Sequence, residues 1–363
     1  MNTKETQMRK LASIQKVIDL QPISGADKIE VATVLGWQCV VKKGEFQVGD
    51  LCCYFEIDSI LPPKPEYAFL EKSKYRIKTI RLRKQVSQGL AVPVPESCKK
   101  YKEDADVTDV LGVIKYDSEA VLDPVGSVPR KPKTWWQKLW SRLLWKLGLA
   151  DKTGSLGWPS FLQKTDEERI QSCPSLLAKH ADEVFYVTEK LDGSSCTVYQ
   201  KGEHFGCCSR NRELPRRKDT NGGNIDARIW AMVKAYGLEQ QLKLVKRDIA
   251  IQGELIGPGI QSNKYKLDKH EYRVFRVFDI AKRQFLAYPE AVKLIESIGL
   301  KWCPYLGEFK LQDYSTVDKL VELSKGESSK LTPVKREGIV VRSLEGATSF
   351  KVINPEFLLE HSL

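Results

Sequence analysis

Over roughly the first 115 residues, apolar side chains alternate with polar ones in short runs: KLASIQKVIDL, KIEVATVLGWQCVVKK, DLCCYFEID and TIRLRKQVSQGLAVPV. Period-two alternation broken by turn-bearing pieces such as QPISGADK and KGEFQVGD predicts short strands that close into a small β-barrel. From about 116 to 160 the pattern gives way to proline, glycine and charge, interrupted by TWWQKLWSRLLWKLGLA. There Trp136, Leu139, Trp140, Leu143 and Leu147 recur at helical spacing, with Lys138, Arg142 and Lys146 to the side or opposite. Such a helix (135–147) reads first as docking on its own protein, with a membrane surface, a nucleic acid or a protein partner as the alternatives. Beyond it, strand-like runs alternate with the helical patterns IDARIWAMVKAYGLEQQLKLV and PEAVKLIESIGL, which predicts an α+β unit.

A length of 363 residues supports two domains, each large enough for a core. The pattern divides them as a barrel at 1–115, a linker at 116–160 and the α+β domain at 161–363. The barrel's turn spacing fits the OB type, whose shallow groove binds oligonucleotides with basic and aromatic side chains. Arg76, Lys78, Arg81, Arg83 and Lys84 form the candidate phosphate-tracking surface, although any one of them also reads as a solvated strand face. The net charge of +11 points the same way, toward a polyanionic partner.

Nine cysteines without CxxC pairs or histidines at ligand spacing argue against structural zinc. Unpaired thiols and an N-terminus without an apolar leader core suggest a reducing, cytoplasmic setting. No run approaches the roughly 18 apolar residues of a membrane span, and a monomer is expected.

The segment VTEKLDGSSCTVYQ raises the chemical question. Lys190 followed by Asp192 and Gly193 reads at first as a surface charge at a hairpin turn. Yet Glu254 in IAIQGELIG, Asp279 in RVFRVFDI, Glu337 in REGIVVR and Lys351 in SFKVIN also stand in apolar strand contexts, where an unpaired charge is costly. Together with Lys190 they require a polar cleft between sheets.

In order, KLDG (190–193), CSRN (208–211), GEL (253–255), FDI (278–280), EGIVVR (337–342) and FK (350–351) resemble the motifs of the covalent nucleotidyltransferases, the superfamily of polynucleotide ligases and capping enzymes. Ser195, where DNA ligases and capping enzymes usually carry arginine, and a barrel placed first rather than last are similar to the RNA ligase group typified by Deinococcus and Naegleria enzymes. That resemblance implies an N-terminal OB barrel followed by a nucleotidyltransferase domain of antiparallel sheets and flanking helices. It implies ATP and Mg²⁺ or Mn²⁺, a covalent lysyl-AMP at Lys190, and sealing of 3′-OH/5′-phosphate nicks in RNA or RNA/DNA duplexes during RNA repair. Lys351 would contact the α-phosphate, and Glu337 and Glu254 would hold the metal. Glu189, Asp192, Gly193, Arg210, Phe278, Arg169 and Gln171 would position the nucleotide, with Phe278 against adenine and Arg169 at a phosphate. The family's last motif often has a second lysine where this chain has Ile353; Lys335, Arg336 and Arg342 are the candidate substitutes. A capping-type guanylyltransferase, a DNA ligase and a catalytically impaired RNA-binding protein are the alternatives.

Overall fold

The computed structural model describes residues 9–116, 157–216, 223–326 and 331–361; the tryptophan-rich 135–147 segment lies outside them. Five antiparallel strands form the N-terminal sheet, in the order Trp37–Lys42, Ile29–Val34, Ala12–Pro22, Leu51–Phe55, Leu90–Pro93. The long strand Ala12–Pro22 serves both halves: Ala12–Lys16 pair with 51–55, whereas Val17–Pro22 pair with 30–34. A bulge between Val17 and Asp19 separates the two pairings. Such an extra residue bends and twists a strand, which curls the sheet into the expected OB barrel. Trp37, Tyr54 and Phe55 fill its interior, joined by Ile353 and Leu358 from the far end of the chain. The run TIRLRKQVSQ forms a separate two-stranded hairpin, Ile80–Leu82 with Gln85–Ser87. Its turn residues Arg83 (φ 48°) and Lys84 (φ 70°) both occupy the left-handed region, which costs a side-chain-bearing residue about 1 kcal/mol.

The remainder holds two mainly antiparallel sheets, the second with the short strand Lys301–Trp302 added in parallel beside Glu271–Asp279. One has the order Tyr305–Lys310, Val184–Lys190, Gly338–Ser343, Ser349–Ile353; the other runs His204–Cys208, Ser194–Lys201, Ile249–Ile256, Glu271–Asp279, Gln284–Phe285. Helices Ile225–Ala235, Leu238–Val245 and Tyr288–Ser297 bury their apolar stripes behind the second sheet. The pattern read as one helix over 225–245 breaks at Gly237 (φ 61°), a conformation glycine adopts readily. Helix Val317–Ser324, which periodicity does not single out, covers the first sheet through Leu320. The architecture is α+β, as the pattern predicts. No helix among the described residues is long and apolar enough to cross a membrane.

Candidate active site

Lys190 ends the strand Val184–Lys190 of one sheet, and Ser194 begins the strand Ser194–Lys201 of the other. The Asp192–Gly193 turn therefore crosses between sheets and is not a hairpin. A side chain at Gly193 would lie 2.5 Å from the Leu255 carbonyl and 2.9 Å from Glu254 Cγ, so only glycine allows this approach. Gly338 plays the same part opposite, where a Cβ would stand 2.2 Å from the Val352 carbonyl.

Strand pairing places the charges. Lys190 lies opposite Gly338, next to Glu337, and its Nζ donates to both carboxylate oxygens of Glu337 at 2.7 Å. Ser195 lies opposite Glu254, and Val340 opposite Lys351. Burial opposes the charge on Lys190, but Glu337 and then Glu254 outweigh it and hold the ammonium above its ordinary range. Burial pushes the Glu254 carboxyl up to about 8, with Lys190 pulling against it and Glu337 and Asp192 adding to the rise. Glu337 is raised for the same first reason. Burial, then the charges of Arg169 and Lys190, bring the Lys351 ammonium down to about 7.

Asp192 pairs with Lys264, and its backbone N–H donates to the Tyr265 hydroxyl at 2.8 Å. No sequence motif points to Lys264, which lies 72 residues from Asp192. None of the candidate substitutes for a second lysine comes to Lys190. Lys335 pairs with Glu360, Arg336 donates to the Lys325 carbonyl, and Arg342 pairs with buried Glu167. Ile353 itself is packed in the barrel core.

Several expected positions differ. Phe278 is 4% exposed within a cluster of Leu162, Tyr199, Cys208, Ala250 and Ile280, edge-on to Phe285 at 5.2 Å. The ring of that strand that packs against the cluster of Leu191 (next to Lys190 in the chain), Ile256, Tyr265 and Cys303 is Phe275, carried by a register shift opposite Gln252–Gly253. Sequence alternation could not assign this because the bulge inverts the faces. Arg169, expected at a phosphate, turns to the barrel and donates to Asp58 at 3.1 Å; its Nε and Nη1 are buried without hydrogen-bond partners among the described residues. Gln171 is also buried there, its carbonyl accepting from the Gly36 N–H at 2.8 Å. Arg210 pairs with Asp166 at 2.8 Å, Glu189 is buried with its N–H on the Pro304 carbonyl, and Asp279 is held by Arg247.

The cationic set on the barrel divides in two. Arg76 is a structural residue, donating to Asp58 at 2.7 Å with its guanidinium 3.6 Å from the Tyr116 ring centroid. Lys78 is half-buried, and burial and Arg76 lower its pKa. Arg81, Arg83 and Lys84 are exposed, with Arg81 pairing to Glu356.

Among the described residues no group of three or more His, Cys, Asp or Glu forms a metal cage. Glu254 and Glu337, two carboxylates raised first by burial and further by neighbouring carboxylates, still suit a hard divalent cation that keeps most of its water and shares its charge with substrate phosphates.

A barrel followed by two sheets that close a lysine between half-buried carboxylates defines a nucleotidyltransferase of the ligase type. Comparison agrees in detail. A family model described as an OB-fold domain matches residues 11–94, and one described as RNA ligase matches residues 183–353. A Naegleria gruberi RNA ligase variant without ligand is 33% identical, with a TM-score of 0.81 and 98% of each chain covered. The Naegleria gruberi enzyme with pyrophosphate gives 33% and 0.81, covering 98% of this chain and 99% of that one. A variant of it with ATP and manganese gives 32% and 0.81, covering 97% and 99%. No curated protein matches. The chain belongs to the RNA ligase family and is an RNA ligase.

Proposed function

We propose that this RNA ligase uses ATP to seal 3′-OH/5′-phosphate nicks in duplexes with RNA on the 3′-OH side, through a lysyl-AMP at Lys190 and an adenylylated 5′ end, and that it serves RNA repair. The observation that carries the reading is the Lys190 amine, bound to both oxygens of Glu337 at 2.7 Å and facing Glu254 where the two sheets meet.

Lys190 must lose a proton before its nitrogen can attack. Without metal, Glu254, pushed up to about 8, is a carboxylate able to hold that proton near neutral pH, and a cation binding there would release it to solvent. The N–P bond then forms at the α-phosphorus of ATP as the bond to the bridging oxygen breaks and pyrophosphate leaves. Lys351, at about 7 without substrate, regains its charge beside phosphate oxygens and stabilises the negative charge there. A divalent cation on Glu337 and Glu254 would neutralise phosphate charge and disfavour the ammonium form of Lys190. Phe275, not Phe278, is the ring suited to the adenine. Asp192, tied to Lys264 and Tyr265, fixes the turn that aims Lys190. In the later steps AMP passes to the 5′-phosphate of the nick, and the 3′-OH displaces it. The 2′-OH and A-form geometry of the RNA strand are the discriminating features.

Intact mass after incubation with ATP and Mg²⁺ tests the reading: a gain of about 329 Da, one adenylate, is expected for the native protein and not for Lys190→Ala. An adduct with GTP alone would move the assignment to capping chemistry, and none with either nucleotide would reject it.

A further inference from the structure

We infer that the hairpin Ile80–Leu82/Gln85–Ser87 is the duplex-gripping element of the ligase, laying an apolar rung on the ribose face of an A-form groove and its cationic tip on the phosphates. The inference rests on the ligase reading above.

Three observations support it. First, between Glu71 and Glu96 the chain has no acidic residue and seven Lys or Arg, a one-signed stretch that complements a polyanion. The tip pair, Arg83 and Lys84, is exposed, and among the described residues no ion pair or hydrogen bond engages either side chain.

Second, the tip is strained. A two-residue hairpin with both central residues at positive φ favours Asn-Gly; here two long cations occupy the positions, at φ 48° and 70°. Strain of this kind persists where the positions do something else, and two adjacent cations projecting from a tight turn are well placed for successive phosphates.

Third, the hairpin is anchored at its base and leaves two apolar side chains in solvent. Ser87 accepts from the Val40 N–H at 2.9 Å, and Gln85 donates to Gln38 at 3.1 Å, both pinning it to the barrel. Arg81 pairs with Glu356, two residues beyond Asn354, whose N–H donates to the Glu337 carbonyl at 2.9 Å. This chain of contacts ties the hairpin to the Lys190 end of the cleft. On the face away from Arg81, Ile80 and Leu82 stand opposite Ser87 and Gln85, and their apolar side chains are still 46% and 40% exposed. The wide, shallow minor groove of an A-form duplex presents riboses to such a rung.

The test uses the full chain and a nicked RNA duplex, with fluorescence anisotropy across a salt series. Arg83→Asn with Lys84→Gly supplies the turn residues that the backbone prefers, so its melting temperature should rise by a few degrees, which also shows that it is folded. Its affinity should fall about tenfold or more at moderate salt, and the slope of log Kd against log salt should drop by about 2, near one per cation lost. Ile80→Ser with Leu82→Ser should weaken the RNA duplex more than a DNA duplex of the same length. A folded tip variant with unchanged affinity and slope would overturn the inference, and equal loss on RNA and DNA would overturn the ribose-face part. Failure of the native protein to form lysyl-AMP would instead reject the ligase reading, while the anisotropy series would still decide whether the hairpin grips a duplex.

Discussion

Two half-buried charge clusters lie within a few residues of each other and behave differently. In the cleft, Lys190, Glu254, Glu337 and Lys351 are poorly matched: one carboxyl is pushed up to about 8 and one ammonium down to about 7. At the barrel junction, burial works against Asp58, but Arg169 and Arg76 outweigh it and keep its carboxyl below the usual range, while Arg9 and Ser172 both hold Glu56. Backbone bridging puts Arg169 beside Lys351, so the same short stretch serves both clusters. The contrast separates a site built to receive charge from one built to hold two domains together.

The largest effect expected is on chemistry: Lys190→Ala should abolish the adenylate and lower sealing by at least ~10³-fold, read by mass and single-turnover assay. The two clusters should then respond to charge removal with opposite signs. Lys351→Met should lower sealing about 10²-fold while stabilising the ligand-free protein near pH 6, on the order of 4 kcal/mol by denaturant unfolding. The sign follows from the depressed folded pKa. Below about 7 the native state carries a buried ammonium; from there toward 10.5 it has shed a proton that the unfolded chain retains. Native stability therefore rises over that window, and the advantage of the methionine variant should shrink to little by pH 10. Asp58→Ala should instead destabilise by roughly 3 kcal/mol, because it leaves Arg169 and Arg76 buried without their carboxylate. A stabilised Asp58→Ala protein would erase the distinction.

Next in size is the pair of rings. Phe278→Ala should cost about 3 kcal/mol of stability, whereas Phe275→Ala should mainly raise KM for ATP, about tenfold, at little cost in melting temperature. The reverse assignment would restore Phe278 to the base. The smallest effect is Arg210→Ala: its pair with half-exposed Asp166 should be worth no more than about 0.5 kcal/mol to stability, so a large loss of sealing with an unchanged melting temperature would mark it as a substrate contact.

Much of the molecule is readable from the chain alone. Alternation at period two and period 3.6 separates barrel from α+β unit, because a side chain's face depends on local backbone geometry. The ordered motifs name the chemistry, since reactive types must stand at strand ends and turns in a fixed succession. Residues whose meaning depends on distant partners are not readable in this way. Arg76 and Arg83 look alike in TIRLRKQ and its flank, yet Asp58 and Tyr116 bury one while the hairpin projects the other. Lys264 reaches Asp192 only because a loop folds back across 72 residues. A single bulge decides whether Phe275 or Phe278 stands beside Leu191.

The sequence by itself determined the order of barrel and α+β unit and most of the element types, set by local periodicity, and its motifs put Lys190 forward as the candidate nucleophile. Tertiary structure alone decided which charges oppose one another, which cations stay in water and which ring meets the cleft. The energy of a charge or a ring depends on what surrounds it, and those surroundings come from remote parts of the chain.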